Sequence, residues 1–409
     1  MVLVIGGGVS GLMTAWILLD KGYRVTIVAE EWRQRGDKSP DKKADRMTSQ
    51  IAGALWEYPP GGCGLSEIEV PVLAYSTLAQ YRTWALQSFL FYKLLAENDS
   101  LVAEKNRFGA RMITLYQFFQ KLPAPPPSED QNPQGERTQE ADPEWKKAKN
   151  AIKYGPNDFN IQWGYRHQAP VVDTDVAMEF LMNRVRDKGA TLETRHIRED
   201  LHLQERELMD DFKADIIVNA SGLGAKVLAS DNQVFPVRGA VRRMTLDNND
   251  NAALDGMDLV LLPAQYDTRN QPGKTVFIVP RNEKTTVVGS IIQRNNWDLA
   301  LTLESPEVED MWKRAHGLVP ALQTRKPSAR PLAQGLRPFS HSNVRVSADN
   351  RTASCRVVHN YGHGGSGWTL AVGCAWTCVT IVERMLHRAE AGSVANANVW
   401  GLGGHRGAD

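Results

Sequence analysis

VLVIGGGVSGLMTAWILLDKGYRVTIVAEE, residues 2–31, opens with a short apolar run, turns on glycines, and continues with Leu12, Ala15, Trp16, Leu18 and Leu19 at helical spacing. The β-branched stretch YRVTIVAE then predicts a second strand. Strand, glycine turn, helix and strand make a βαβ unit, and the glycines fall at Gly6, Gly8 and Gly11, the GxGxxG spacing of a dinucleotide site. Each glycine has a separate physical task. Gly6 allows the tight turn, Gly8 lets backbone approach a pyrophosphate, and Gly11 lets the helix lie close on the sheet with its N-terminus aimed at negative charge. Val9 and Ser10, inside the same turn, join the candidate cofactor-binding set. Glu30 ends the second strand, where a carboxylate accepts hydrogen bonds from ribose hydroxyls and disfavours the ribose phosphate of NADP.

Outward from this unit, 409 residues with 42% hydrophobic content are enough for one large or two medium domains with a substantial core. Lys+Arg 48 against Asp+Glu 47 leaves a net charge of +1, which gives no electrostatic argument for nucleic acid or an anionic membrane as partner. The four cysteines, Cys63, Cys355, Cys374 and Cys378, form neither a CxxC pair nor a zinc spacing, so a reducing compartment and no metal are expected. The first residues already read as a strand, leaving no room for a leader, and HRGAD at the end is not a peroxisomal address. A cytoplasmic location is the expectation. Ser366 to Val382 carries no charge, but it is short for a bilayer crossing and holds Gly, Thr, Cys and Trp, so a buried helix is expected there.

AYSTLAQYRTWALQSFLFYKLLAEN predicts a helix, and residues 122–145, rich in Pro, Gln, Glu and Asp, predict an exposed mobile insertion. TDVAMEFLMNRVRDKGATLETRHI reads as an amphipathic helix and a strand, and ADIIVNASGLGA as a buried strand entering a second glycine turn at Ser221 and Gly222. VFPVRGAVRRMTL, MDLVLLPA, KTVFIVP and KTTVVGSIIQ are β-branched runs separated by turn residues, the pattern of an antiparallel sheet. The expected fold is α/β, a Rossmann-like nucleotide-binding domain with an interleaved second α+β domain built on an antiparallel sheet. Residues 1–60, 150–235 and 330–388 are assigned to the first, 61–149 and 236–329 to the second, and 389–409 to a flexible tail.

VVHNYGHGGSGWTL, residues 357–370, packs glycines and two histidines ahead of the uncharged run. A metal reading of His359 and His363 fails, because no carboxylate or thiolate nearby in the sequence completes a site. With GxGxxG and Glu30, TSQIAGALWEYPP, VNASGLGA, QGLRP and VVHNYGHGGSGWTLAVGCAW, the chain resembles the D-amino acid oxidase family of FAD flavoproteins over most of its length. The resemblance implies FAD as cofactor, oxidation of a C–N bond by hydride transfer to the flavin, and oxygen as acceptor with release of hydrogen peroxide. Thr48, Ser49, Ala54 and Leu55 would contact phosphates and flavin, Trp56 would lie near the pocket, and Ile197 would flank the adenine. Gly364 and Gly365 would lie against the ring, with the Gly365 carbonyl offered to a substrate amine. A reduced flavin carries negative charge along one edge, so N–H groups at Gly367, Trp368 and Thr369, with the helix dipole behind them, would stabilise it.

The resemblance breaks at substrate recognition. In the motif Arg337, Pro338, Phe339, Ser340, the resemblance places the carboxylate clamp at the last position, which is serine here, and tyrosines expected near Gly273 and at Phe277 are absent. Arg242, Arg243, Lys274, Arg281 and Arg345 are candidate substitutes. An amine or modified amino acid lacking a free carboxylate is therefore one expected substrate. A D-amino acid held by a relocated arginine is a second, and a redox-neutral or non-catalytic FAD protein a third. Cys63 is a candidate for covalent flavin attachment, more simply a small turn residue; His341 is a candidate pocket residue, and a homodimer is possible.

Overall fold

The computed structural model describes residues 1–32, 47–56, 75–99, 101, 103, 107–119, 135–136, 163–245, 259–262 and 276–400, with backbone alone at 119, 135–136, 163–166, 259–262 and 388–400. In chain order the strands are β1 (Val2–Ile5), β2 (Val25–Ala29), β3 (Ala110–Phe119), β4 (Gly135–Glu136), β5 (Trp163–Val172), β6 (Thr191–Thr194), β7 (Ile216–Asn219) and β8 (Val234–Thr245). They continue as β9 (Leu259–Leu262), β10 (Val276–Pro280), β11 (Thr285–Gly289), β12 (Gln293–Arg294), β13 (Pro327–Ser340), β14 (Arg345–Ala348) and β15 (Val357–Tyr361). The helices are α1 (Val9–Asp20), α2 (Thr48–Ile51), α3 (Leu78–Asp99), α4 (Thr174–Asp187), α5 (Leu201–Phe212), α6 (Ala225–Leu228), α7 (Pro306–Leu318) and α8 (Gly367–Trp400).

The first sheet has the order β14-β15-β7-β1-β2-β6 and is parallel except for β14. Its central strands are buried along their whole length, as parallel strands covered on both faces must be. One face, with Val2, Val4, Ile27, Val218 and Val358, packs on α1 and α8; the other, with Leu3, Ile5, Val28, Ile217 and Val357, packs on α5. Helix starts are fixed locally: Asp173 caps α4 by accepting from Asp175 N–H, and Asp200 caps α5 by accepting from His202 N–H. This is the Rossmann-like unit expected from residues 2–31.

The second sheet has the order β12-β8-β11-β10-β9-β3-β5-β4, with β13 also paired to β8, and is antiparallel apart from β3–β9. Met244, Val276, Ile278 and Val288 on one face pack against α7, while Val241, Phe277, Val279 and Val287 on the other join the core shared with the first sheet. β5 and β13 hydrogen-bond into this second sheet although the expected boundaries put residues 150–235 and 330–388 with the nucleotide unit. β13 carries Pro327, Pro331 and Pro338; among the described residues its ladder partner is β8, and it is irregular between Pro327 and Leu332, so its prolines sit where an edge strand tolerates them.

The uncharged run is core helix. Leu370, Ala371, Val372, Cys374, Ala375, Cys378, Val379 and Val382 of α8 are buried against α1 and α3. Among the described residues it is the one helix long and apolar enough to cross a membrane, and more than half of that window is buried. A side chain at Gly373 would meet the Trp84 backbone, so the α3–α8 crossing is as close as a glycine permits. The α8 backbone continues to Trp400, through most of the stretch expected as a tail. Of the 122–145 insertion only β4 is described; Cys63 and Lys274 lie outside the described residues.

Candidate active site

Four pieces of chain meet where the C-terminal ends of β1, β2 and β7 face the second sheet. The first is the glycine turn. Gly6 has φ +127° and a side chain there would strike the Ala220 carbonyl, so the turn closes directly over the end of β7. Gly8 precedes α1 in extended conformation, and Val9 N–H donates to Ser49 Oγ at 3.1 Å. Ser10 O accepts from Thr14 Oγ1. Glu30 follows β2 on the surface, its carboxylate 2.7 Å from His196 Nδ1, and Ile197 packs at the edge of the α5-side core. After β7, Ser221 Oγ donates to Asn219 Oδ1 at 2.6 Å, and Gly222 (φ +60°) abuts Pro338. These residues share the sheet end at which open α/β sheets bind ligands.

Residues 47–56 form the second piece and join everything else. Thr48 Oγ1 donates to Leu336 O of β13 at 2.7 Å, Ser49 O accepts from Trp368 Nε1 at 2.9 Å, and Arg281 donates to Ala52 O. Leu55 bridges to Val171 of β5, and Ala54 O accepts from Val172 N–H. Ser49 thus touches both the start of α1 and the start of α8. Trp56 is 2% exposed, donates from Nε1 to Ala85 O at 2.9 Å and packs on Phe89. It is a core side chain.

The third piece is the loop between β15 and α8. Gly362 and Gly364 have positive φ, His363 pairs with Phe339 of β13, and a short 3-10 turn at Gly364–Ser366 leads into Gly367. Gly365 is exposed and Thr369 buried. A methyl group added at Gly367 would meet nothing within 4 Å, so α8 begins beside open space. Gly367, Trp368 and Thr369 form the first turn of α8, the helix end at which N–H groups point outward along the axis. His363 is 6% exposed with Nε2 lacking any partner among the described residues, and burial pushes its pKa down to about 4, which keeps the imidazole neutral.

The second sheet supplies the fourth piece. Strand parity puts Gly335, Arg337 and Phe339 on one face of β13, opposite Gly239, Val237 and Phe235 of β8. Gly335 lies against Ile51 of α2, Phe339 against Gly364, and Arg337 between them. The Arg337 guanidinium lies flat over Gly239, filling the space that a Cβ there would take. It donates to Ile291 O at 3.0 Å and to Ser290 Oγ at 2.5 Å. Phe277 lies down in the same way over Gly289 and against Gly53.

Ser340 falls on the opposite face of β13, is fully buried, and accepts from Ser342 N–H at 3.2 Å. Of the substitute cations, Arg242 lies over the Trp312 ring on the α7 side, and Arg345 is tied to Tyr361 and Ser347 in the nucleotide unit. Arg281 is wholly buried, with burial and then the Arg243 charge pushing its pKa down to about 10. His341 stacks on Phe235 at 4.2 Å. His359 is engaged by Asp349 and Asn219. The residues sequence reasoning missed are Gly239, Gly289 and Ser290; the signal available was the pairing of β8 with QGLRP, which requires two strands to be registered against each other.

The arrangement fits a long two-part cofactor. It offers a pyrophosphate-type turn at α1, a helix start beside open space at Gly367, an unpartnered buried imidazole nitrogen between them and the second sheet, and Ser49 binding both helix starts. The FAD dependent oxidoreductase (DAO) family model matches residues 1–380. The chain is 29% identical over 377 residues to the D-amino-acid oxidase of Rubrobacter xylanophilus, covering 91% of this chain and 92% of that one. It is 29% identical over 383 residues to the D-amino-acid oxidase of Streptomyces coelicolor, covering 91% and 94%. Among solved structures, the glycine oxidase from Bacillus cereus superposes with a TM-score of 0.62 at 15% identity, covering 94% and 97%, a likeness of fold. With a glycine turn, a signature loop and a two-sheet core all spanned by that one match, the chain belongs to the DAO family of FAD dependent oxidoreductases.

Proposed function

We propose that the protein oxidises the C–N bond of a small amino acid or amine, with oxygen as the final acceptor, and that Arg337 grips the anionic end of the substrate. The observation that carries this is the placement of the Arg337 guanidinium across Gly239, midway between the α2 contact at Gly335 and the loop contact at Gly364. FAD, when bound, supplies the two-electron acceptor. Gly6, Gly8, Val9, Ser10, Gly11 and Glu30 would hold its nucleotide half, with Ser221 and Gly222 at the neighbouring turn and Ile197 beside them. Thr48, Ser49, Ala54 and Leu55 would line its middle, and Gly364, Gly365, Gly367, Trp368 and Thr369 its redox end.

The chain's own residues then act by position. Ser290 Oγ and Ile291 O fix two nitrogens of the guanidinium, so the side chain presents a set orientation rather than a mobile charge. Phe339 shares the β13 face of Arg337 and Phe277 lies over Gly289, next to its Ser290 partner, so these buried rings would exclude water and strengthen a charge-assisted contact. The Gly365 carbonyl, on an exposed turn, is available to a substrate amine. Neutral His363 adds no competing cation beside the loop. An amine without a free carboxylate is the second reading. It is favoured by the same two phenylalanines and by the fact that Ser290 and Ile291 already occupy part of Arg337.

The test is peroxide release and anaerobic bleaching of the purified yellow protein with D-amino acids, glycine, N-substituted glycines, and their esters and amides. Turnover of free acids, lost by about a hundredfold or more in kcat/KM in Arg337→Met while esters are little affected, is the expected result; removing one charge-assisted pair is worth roughly 3 kcal/mol. Equal turnover of acids and esters by the parent enzyme would establish the second reading instead.

A further inference from the structure

The fold brings together three metal-binding side chains from two stretches far apart in sequence, none of them among the residues assigned above to cofactor or substrate. His202 and Glu205 stand three residues apart on α5 and so share one face of the helix, while Cys355 sits in the turn leading into β15. One ligand atom from each lies within 4.8 Å of the other two. Cys355 Sγ donates to Glu205 Oε2 at 3.0 Å, and Arg356 N–H holds Glu205 Oε1 at 3.0 Å. An independent observation comes from the third member. His202 Nδ1 is buried and has no hydrogen-bond partner among the described residues. A bare buried imidazole nitrogen is costly unless something satisfies it, and the ring that carries it offers a ligand atom within 4.8 Å of a thiol and a carboxylate.

We infer that His202, Glu205 and Cys355 form a binding site for one divalent cation of the zinc type, with water as the fourth ligand. Imidazole, thiolate and carboxylate together are the donor set of borderline-soft metals and are wrong for magnesium or calcium, which take oxygen alone. Tetrahedral zinc holds such donors about 3.3–3.8 Å apart, so side-chain rotations of roughly one ångström close the set. As the Sγ–metal bond forms, the thiol proton leaves to solvent, and thiolate plus carboxylate then balance the two positive charges. Arg351, close by, is already neutralised by Asp349 and Asp200. The α5 dipole opposes a cation at this end, but two anionic donors outweigh it. A bound metal would tie α5 to β15, the strand that runs into the Gly362–Gly367 loop. No spacing in the sequence announces the site, because the two halves are 150 residues apart.

The experiment titrates tag-free, FAD-loaded protein with Co2+ alone and then with Zn2+. Expected are tetrahedral ligand-field bands of Co2+ to the red of the flavin absorption, saturating at one equivalent, displaced by Zn2+, with Zn2+ raising the unfolding temperature. Cys355→Ser should abolish the bands and weaken Zn2+ binding at least about tenfold, whereas Cys63→Ser and Cys374→Ser should keep both. His202→Ala, a change on a partly exposed helix position, should give the same loss and serves where Cys355→Ser folds poorly. Absence of the bands in the parent protein, or their survival in His202→Ala, overturns the proposal.

Discussion

At the scale of single residues, the recognition proposed for Arg337 depends on two glycines that let large side chains lie down on a sheet. Gly239→Ala would drive a Cβ into the Arg337 guanidinium, which must then lift from its Ser290 and Ile291 contacts. The expected outcome is a loss in kcat/KM of more than about tenfold, carried by KM, with flavin content unchanged, because misplacing a binding group costs at least one charge-assisted hydrogen bond. Steady-state kinetics beside the flavin-to-protein absorbance ratio checks it. Ser340→Ala is the contrast. That side chain faces away and, among the described residues, holds the Ser342 N–H, so kinetics should stay near parent values while stability falls by about 1 kcal/mol. The motif Arg337–Ser340 was legible in the sequence, but which of its members faces the site was not: a strand's parity becomes known only once a partner fixes which face is buried.

At the scale of elements, the start of α8 is held by one side chain. Trp368 donates from Nε1 to Ser49 O, and its own carbonyl accepts from Tyr92 OH at 2.8 Å, so α2, α3 and α8 are pinned at one point. Trp368→Phe keeps most of the buried ring and removes the donor, leaving the Ser49 carbonyl short of a partner. The expected cost is about 1–2 kcal/mol in unfolding free energy. FAD should also bind severalfold more weakly, since Ser49 is held from both sides; flavin fluorescence titration reads the second effect. The elements that were legible are those whose signal is local. Residues 2–31 fold as written because a short apolar run, a glycine turn, an apolar helix and a β-branched run follow one another without a break, and α8 begins where glycines give way to apolar residues. β5 and β13 were not legible as members of the second sheet, because β13 has three prolines and two arginines in fourteen residues and gains its place only by pairing with β8.

At the scale of the whole molecule, buried histidines held neutral couple stability to pH, His167 and His363 most strongly, with His359 also pushed down by burial. Burial pushes both His167, on β5 beside Trp56, and His363, in the signature loop, down to about 4 from an ordinary value of 6.5. The unfolded chain therefore binds more protons than the folded one between pH 6.5 and pH 4. Stability is flat with respect to these groups above that window and falls as the pH drops through it, each contributing a slope approaching about 1.4 kcal/mol per pH unit. Asp349 extends the loss further down. Burial raises its pKa, but hydrogen bonds from His359 and Arg351 outweigh burial and hold it well below the ordinary carboxylate value, so its contribution disappears only under stronger acid. Urea unfolding at saturating FAD, repeated from pH 7.5 to pH 4.5, should show a midpoint that declines most steeply below pH 6.5. His167→Gln removes one of these titrating rings without touching the loop, so it should make that decline measurably shallower; an unchanged slope would mean that His167 is not held neutral by the fold.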